Sequence, residues 1–311
     1  MVLGLLLVDP WSNGGHPDRP TRTSSHSLAT RATVPTTTPT RPSPPYPVAT
    51  STVPLFDPTR DTAARGSVPA SSGRALTTDI WRPVGAEGPL PLVVFAHGWD
   101  SDPNVYATLL SAWAAAGYLV AAPVFPDSAD TLPGTPVSDF PNQAKDLSFV
   151  ITSLLGGAAG PVDPSRIAVA GHSDGGTDVA LLALNPGYAD PRIKAYLSLS
   201  GQIPDGVDGP WGVPKSGSLL VAVGTDDEYG LLPDATEVYQ TADMVKTMLT
   251  VTGGDHLQTF VADTPQSEAV REETIRFLGV ALGSKAVTPS SLSSALEPPP
   301  DPSIAVSVGS G

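Results

Sequence analysis

Short stretches dominated by apolar residues, each too brief for a helix, most constrain how this chain can fold. They are Leu92–Ala96, Tyr118–Ala122, Ile167–Ala170, Ala195–Ser200 and Leu219–Gly224. A strand apolar on every residue rather than on alternate ones must be covered on both faces, and parallel sheets flanked by helices meet that condition. Two further strands are expected, Ala75–Trp81, ahead of Pro83, and Met248–Val251. Between these runs the spacing changes to that of helices. Asn104–Ala116 closes at Gly117, and in Pro141–Leu155 the residues Ala144, Leu147, Val150, Ile151 and Leu154 step by three and four before Gly156 and Gly157. Such spacing lays an apolar stripe along one face of a helix. Thr177–Leu184, Ala235–Val245 and Glu268–Leu282 complete the set, the last with Val270, Ile275, Phe277, Leu278 and Ala281 inward. The alternation predicts an α/β fold, an open and mostly parallel sheet with helices on both faces, in which ligands sit beyond the carboxyl ends of the strands.

The flanks read differently. Thr21–Pro47 has no hydrophobic period and is crowded with Thr, Pro, Ser and Arg, so residues 1–47 are expected to form a disordered leader or stalk. Residues 285–311 carry Pro289, Pro298, Pro299 and Pro300 among serines and are expected to be a disordered tail, which leaves 48–284 as the folded domain. Val2–Val8 is apolar but far shorter than the ~18 residues that span a bilayer, so no integral membrane span is expected. An apolar start followed by a Thr/Pro-rich stalk points to a secreted or cell-surface protein, with a cytoplasmic one as the alternative. A formal net charge of -14 repels phosphate backbones, which sets nucleic acid aside as a partner. The absence of cysteine removes disulfides, thiolate metal sites, a cysteine nucleophile and a lipidated cysteine.

At the end of the Ile167–Ala170 run stands Gly171-His172-Ser173-Asp174-Gly175, followed by a helical stretch. A serine on a tight turn between strand and helix lifts its Oγ above the sheet, and the flanking glycines let a strained backbone pass. A hydroxyl is a weak nucleophile at neutral pH, so an imidazole must take its proton and a carboxylate must orient that imidazole. His172 sits in the turn itself and His97 directly follows the Leu92–Ala96 strand, so neither is well placed to face Ser173. His256, in a glycine-rich loop after Val251, is the candidate base. Asp227 is the candidate acid, with Asp226 as the alternative, in the loop after Gly224. The chain order Ser, acid, His is the one this chemistry takes on such a sheet. Backbone N–H groups of Asp174, after the nucleophile, and of Trp99, after His97-Gly98, are the candidate oxyanion donors.

The segments PLVVFAHGW, NQAKDLSFVITSLL, RIAVAGHSDGG, VGTDDE and GGDH together resemble the α/β-hydrolase superfamily over about Val48 to Gly283. They are most similar to its bacterial platelet-activating-factor acetylhydrolases, dienelactone hydrolases and cutinase-like serine esterases. The resemblance implies the α/β-hydrolase fold and an acyl-enzyme route with Ser173, Asp227 and His256 as the triad and the Trp99 and Asp174 amides as oxyanion donors. It implies no metal and no organic cofactor. Expected substrates are carboxylic esters with small to medium acyl groups, lipid or polyester esters among them. Two departures stand out. Asp174 puts a carboxylate beside a site for developing negative charge, and Gly201-Gln202 replaces the tryptophan that polyester-hydrolysing relatives carry after the strand corresponding to Ala195–Ser200. Gln202, Ile203 and Trp211 are the expected pocket-lining residues, and the short Gly201–Gly217 segment leaves no room for a large helical lid. Two other activities fit the same residues: an exopeptidase or amidase on this fold, and a binding protein that kept the fold without catalysis.

Overall fold

The computed structural model describes residues 44–212 and 216–311. Through residue 43 the expected leader lies outside the described residues. One nine-stranded sheet organises the rest, in the order β1-β2-β4-β3-β5-β6-β7-β8-β9. β1 (Val48–Asp57), β2 (Arg74–Pro83) and β4 (Leu119–Pro123) pair antiparallel in turn. From β4 through β3 (Leu90–Ala96), β5 (Val162–His172), β6 (Ile193–Leu199) and β7 (Ser218–Gly224) to β8 (Val245–Val251) every pairing is parallel. β9 (Ile304–Gly309) closes the far edge antiparallel to β8.

The apolar runs sort their side chains by the period of two that a strand imposes. Leu92, Val94 and Ala96 of β3 enter one core, with Ile167 and Val169 of β5 and Leu219, Val221 and Val223 of β7. Val93 and Phe95, Ala168 and Ala170, and Leu220 and Ala222 enter the other. The first core is covered by α2 (Phe140–Leu155), α3 (Asp174–Leu184) and α4 (Leu232–Thr241). The second is covered by α1 (Ala107–Ala115), α6 (Pro265–Ala281) and α7 (Pro289–Leu296), with the single turn α5 (Gln258–Val261) beside them. The expected mostly parallel sheet with helices on both faces is what the chain forms. Among the described residues no helix is long and apolar enough to cross a membrane.

Several boundaries differ from the expectation, among them the starts of α1, β5, β8 and α6, and four further differences change the fold most. The largest difference is at the C-terminus, where the segment expected as a disordered tail contributes α7 and β9. Thr288 caps α7 with a reciprocal side-chain bond to Ser291, Leu292 and Leu296 are fully buried, and β9 pairs along β8 from Lys246 to Val251. Serine and proline there act as cap and first-turn residues rather than as marks of disorder. β1 was not expected; it is an edge strand, the place where a sheet tolerates a residue such as Pro54. Helix α3 starts at Asp174 rather than at Thr177, because Gly175 and Gly176, poor helix formers, are held by tertiary contacts. Helix α4 stops at Thr241 rather than running to Val245, where β8 begins.

A buried cation fixes the long connection between β4 and α2. Arg74 is fully buried, and its guanidinium binds Asp146 of α2 at 2.7 Å and Asp127 of the connection at 2.9 Å. Asp139, one residue before α2, lies 3.4 Å from the same guanidinium.

Because Leu296 has no exposed surface, Leu296→Ala should lower the free energy of unfolding by about 2–5 kcal/mol in urea titrations. Wild-type stability in that variant would mean that α7 does not pack on the second core.

Candidate active site

Strands β3, β5, β6, β7 and β8 run parallel, so their carboxyl ends open on one edge of the sheet. From β3 the chain moves outward to β4, then crosses to β5 on the other flank of β3, so the crevice between the β3 and β5 ends is the switch point where ligands bind in such sheets. A cavity of about 680 Å³ lies there, within the range that suits small-molecule ligands. Residues from all five strand ends line it: Gly98 and Trp99 after β3, Ser173 and Asp174 after β5, Ser200 and Gln202 after β6, Glu228 and Tyr229 after β7, and His256 and Leu257 after β8.

Ser173 sits at φ 57° and ψ −120°, in the left-handed half of the map that a side chain disfavours. Two glycines make this turn feasible. A Cβ on Gly171 would lie 2.1 Å from the Gly175 carbonyl oxygen, and one on Gly175 would lie 2.1 Å from that of Ala96. The strand can therefore reverse into α3 against β3 only with hydrogen at both positions. The Ser173 N–H donates to the Leu199 carbonyl at 2.9 Å, which ties the strained residue to β6.

His256 and Asp227 are brought together. The imidazole Nδ1 lies 2.8 Å from Asp227 Oδ2, with both side chains nearly buried. With Nδ1 engaged, Nε2 is the ring nitrogen that can serve Ser173, with which His256 shares the cavity. Asp226 is exposed, and its carboxylate accepts from the Thr225 hydroxyl at 3.0 Å, so the alternative acid is not the partner of His256. Glu228 Oε2 accepts the His256 backbone N–H at 3.0 Å, fixing His256 from its main chain as well.

Separable local features bear on the two candidate donors. His97 Nε2 accepts the Phe125 N–H at 3.1 Å, so its proton is on Nδ1, which donates to the Gly98 carbonyl at 2.8 Å. A planar trans peptide points its N–H opposite to its C=O, so pinning the Gly98 carbonyl on one side sends the Trp99 N–H to the other. Burial pushes the His97 imidazole down to about 4, and it stays neutral in this role. Asp174 opens α3, where backbone N–H groups lack helical acceptors and the helix dipole is positive. Its side chain accepts a short hydrogen bond from Ser138 Oγ, on the connection held by Arg74. Burial raises the Asp174 carboxyl above the usual carboxylate range, while Ser138 and the nearby His256 act to lower it.

Gln202 lines the cavity, its N–H donating to Thr177 Oγ1 at 3.2 Å. Ile203 and Trp211, expected beside it, pack instead against the core cluster under α2 and α3. The reason is positional: Gly212, next to Trp211, donates its N–H to the Leu184 carbonyl at the far end of α3. That end lies about 16 Å along the helix from Ser173, at about 1.5 Å per residue. The sequence reading missed Tyr229, 72% exposed at the mouth, whose ring centroid stands 4.6 Å from that of His256. It also missed Tyr106, Ser138 and Thr177, which no motif marks. Trp99, half exposed, stands at the same mouth. Among the described residues no cluster of His, Asp and Glu could hold a metal ion.

The strand order, the turn at Ser173 and the switch-point cavity define a protein of the α/β-hydrolase fold. The family model described as Chlorophyllase matches residues 66–216, which include Trp99, Ser173 and Asp174. A ferulic acid esterase from Streptomyces cinnamoneus superimposes with a TM-score of 0.62 over 84% of this chain and 96% of that one, at 22% identity. No curated protein matches the sequence.

Gly175→Ala should destabilise the fold by about 3 kcal/mol or more, since the added methyl meets backbone rather than a yielding side chain. Urea unfolding measures it, and wild-type stability would show that the strand-to-helix crossing is looser than described.

Proposed function

We propose that this chain is a carboxylic-ester hydrolase working through an acyl-enzyme. The observation that carries the reading is the Asp227–His256 pair at 2.8 Å in the cavity that also holds Ser173 on its strained turn. In this reading Ser173 Oγ attacks the ester carbonyl carbon while His256 Nε2 takes its proton. Negative charge gathers on the carbonyl oxygen, where the Trp99 and Asp174 N–H groups receive it; each such donor is worth about a hundredfold to a thousandfold in rate. Collapse breaks the bond to the alcohol oxygen, and His256 returns its proton to that oxygen as the alcohol departs. Water then attacks the acyl-Ser173 carbonyl, again giving its proton to His256. The acid is released as the proton goes back to Ser173 Oγ. Asp227 holds the imidazole orientation and offsets its charge in both halves.

The ester class is supported by the Chlorophyllase match, an esterase family of this fold, and by the ferulic acid esterase likeness. A cavity of about 680 Å³ suits small to medium acyl groups. No helix spans β6 to β7 among the described residues, consistent with an open mouth. Export to the cell exterior is part of the same proposal and rests on the composition of residues 1–47 alone.

Ser173→Ala should cut turnover of p-nitrophenyl acetate or butyrate by at least about 10⁴-fold. It should also abolish labelling by a fluorophosphonate while leaving thermal unfolding near wild type. Retained turnover or labelling in that variant would refute the assignment.

A further inference from the structure

Beyond the triad, a second histidine and a tyrosine join the loops that carry it. His172 Nε2 lies 2.8 Å from the His256 carbonyl oxygen, and His172 Nδ1 lies 2.9 Å from the Tyr106 hydroxyl. That hydroxyl lies 3.2 Å from the Gly98 nitrogen, whose N–H it accepts. A carbonyl oxygen can only accept, so Nε2 must carry the proton. A neutral imidazole then has a bare Nδ1, which the Tyr106 O–H supplies, and the phenol oxygen is left to accept from Gly98. This is the arrangement in which each donor has an acceptor.

We propose that Tyr106 and His172 are positioning residues, a neutral hydrogen-bonded relay that holds the oxyanion loop and the base loop in register with Ser173. The proposal rests on the hydrolase reading above. The relay spans three strand ends: Gly98 follows β3, His172 directly precedes Ser173 on β5, and His256 follows β8. It immobilises the base by its carbonyl, while Glu228 holds its N–H and Asp227 its Nδ1. Gly98 likewise has both polar backbone atoms engaged, the N–H by Tyr106 and the carbonyl by His97.

Neutrality is part of the function. The ring centroid of His172 stands 4.6 Å from that of His256, where positive charge appears during each proton transfer. A charged His172 would oppose that step directly. Burial is the largest influence and disfavours its protonation, as does the His256 ring; the His256 carbonyl and Asp227 favour it but are outweighed, and the imidazole is pushed down to about 3. Aromatic walls keep water out, with Phe260 5.2 Å from His172 and Phe95 4.8 Å from Tyr106, centroid to centroid.

The test combines spectroscopy with kinetics on the full chain. Histidine 15N NMR should find His172 with its proton on Nε2 and unchanged from about pH 5 to pH 8. Tyr106→Phe should lower kcat on p-nitrophenyl butyrate by about 10- to 100-fold with KM within about threefold of wild type, the signature of misplaced groups. His172→Phe should lower kcat further, and His172→Gln, whose side-chain N–H can still reach the His256 carbonyl, should retain about tenfold more than His172→Phe. A proton on Nδ1, a titration within that range, or wild-type kcat in Tyr106→Phe would overturn the relay. If Tyr106→Phe fails to fold, equal kcat in the two His172 variants does the same. The tautomer is read without any turnover, so its failure is distinct from that of the hydrolase reading, which falls only if Ser173→Ala stays active.

Discussion

Every feature of the site depends on one steric constraint, the close passage of β5 into α3 beside β3. At Gly171 and Gly175 a methyl group would come within 2.1 Å of backbone oxygen, so the crossing distance is set by main-chain contact and not by side-chain packing. That contact forces Ser173 into a conformation costing about 1–3 kcal/mol. The strain persists because the surroundings over-determine it: the Ser173 N–H is bound to β6, and every residue of α3 from Gly175 to Leu184 is buried. A hydroxyl at the head of a rigid helix buried from Gly175 onward cannot wander, which is what nucleophilic attack requires.

A second constraint acts from farther away. The β4–α2 connection crosses the edge of the cavity and brings Ser138 to Asp174. Phe125 anchors the start of this connection in the first core, and Arg74 fixes the rest of its course through Asp127, Asp139 and Asp146. Removing charges from water costs several kcal/mol per ion, so such a cluster adds little net stability. Its contribution is geometric: three carboxylates meeting one planar guanidinium fix where the connection runs. The Ser138 hydroxyl then gives the Asp174 carboxylate a hydrogen-bond partner beside the proposed oxyanion site. The departure at position 174 is thus accommodated by a residue 36 positions earlier in the chain.

Much of this was legible in the sequence, and what was not has a physical reason. The apolar runs of β3, β5 and β7 were readable because burial on both faces leaves no polar residue to confuse the pattern. Ser173 was readable because the turn demands glycine on either side, and His256 and Asp227 because parallel strands put every carboxyl-end loop on the same edge. α7 and β9 were hidden because their serines and prolines have a different meaning at a helix cap than in free chain. Trp211 misled because distance along α3, and not nearness in sequence to β6, decides what reaches the cavity. Tyr106, Ser138 and His172 act through side-chain hydrogen bonds between loops, and such pairings leave no periodic trace.

The three histidines around the site show how burial assigns roles to one side chain type. His97 and His172 are both buried in apolar surroundings and both neutral, yet they carry their protons on opposite nitrogens, His97 on Nδ1 and His172 on Nε2, as their carbonyl partners dictate. Each becomes a fixed donor to a backbone carbonyl, one at Gly98 and one at His256. His256 differs in having a carboxylate on Nδ1, which gives a positive charge on its ring a partner that the other two lack. In a chain of net charge −14, positive charge is scarce and negative charge is easily placed. In the proposed reaction the site therefore gathers its developing anion with neutral N–H groups and confines its single transient cation to the one imidazole that a buried aspartate supports.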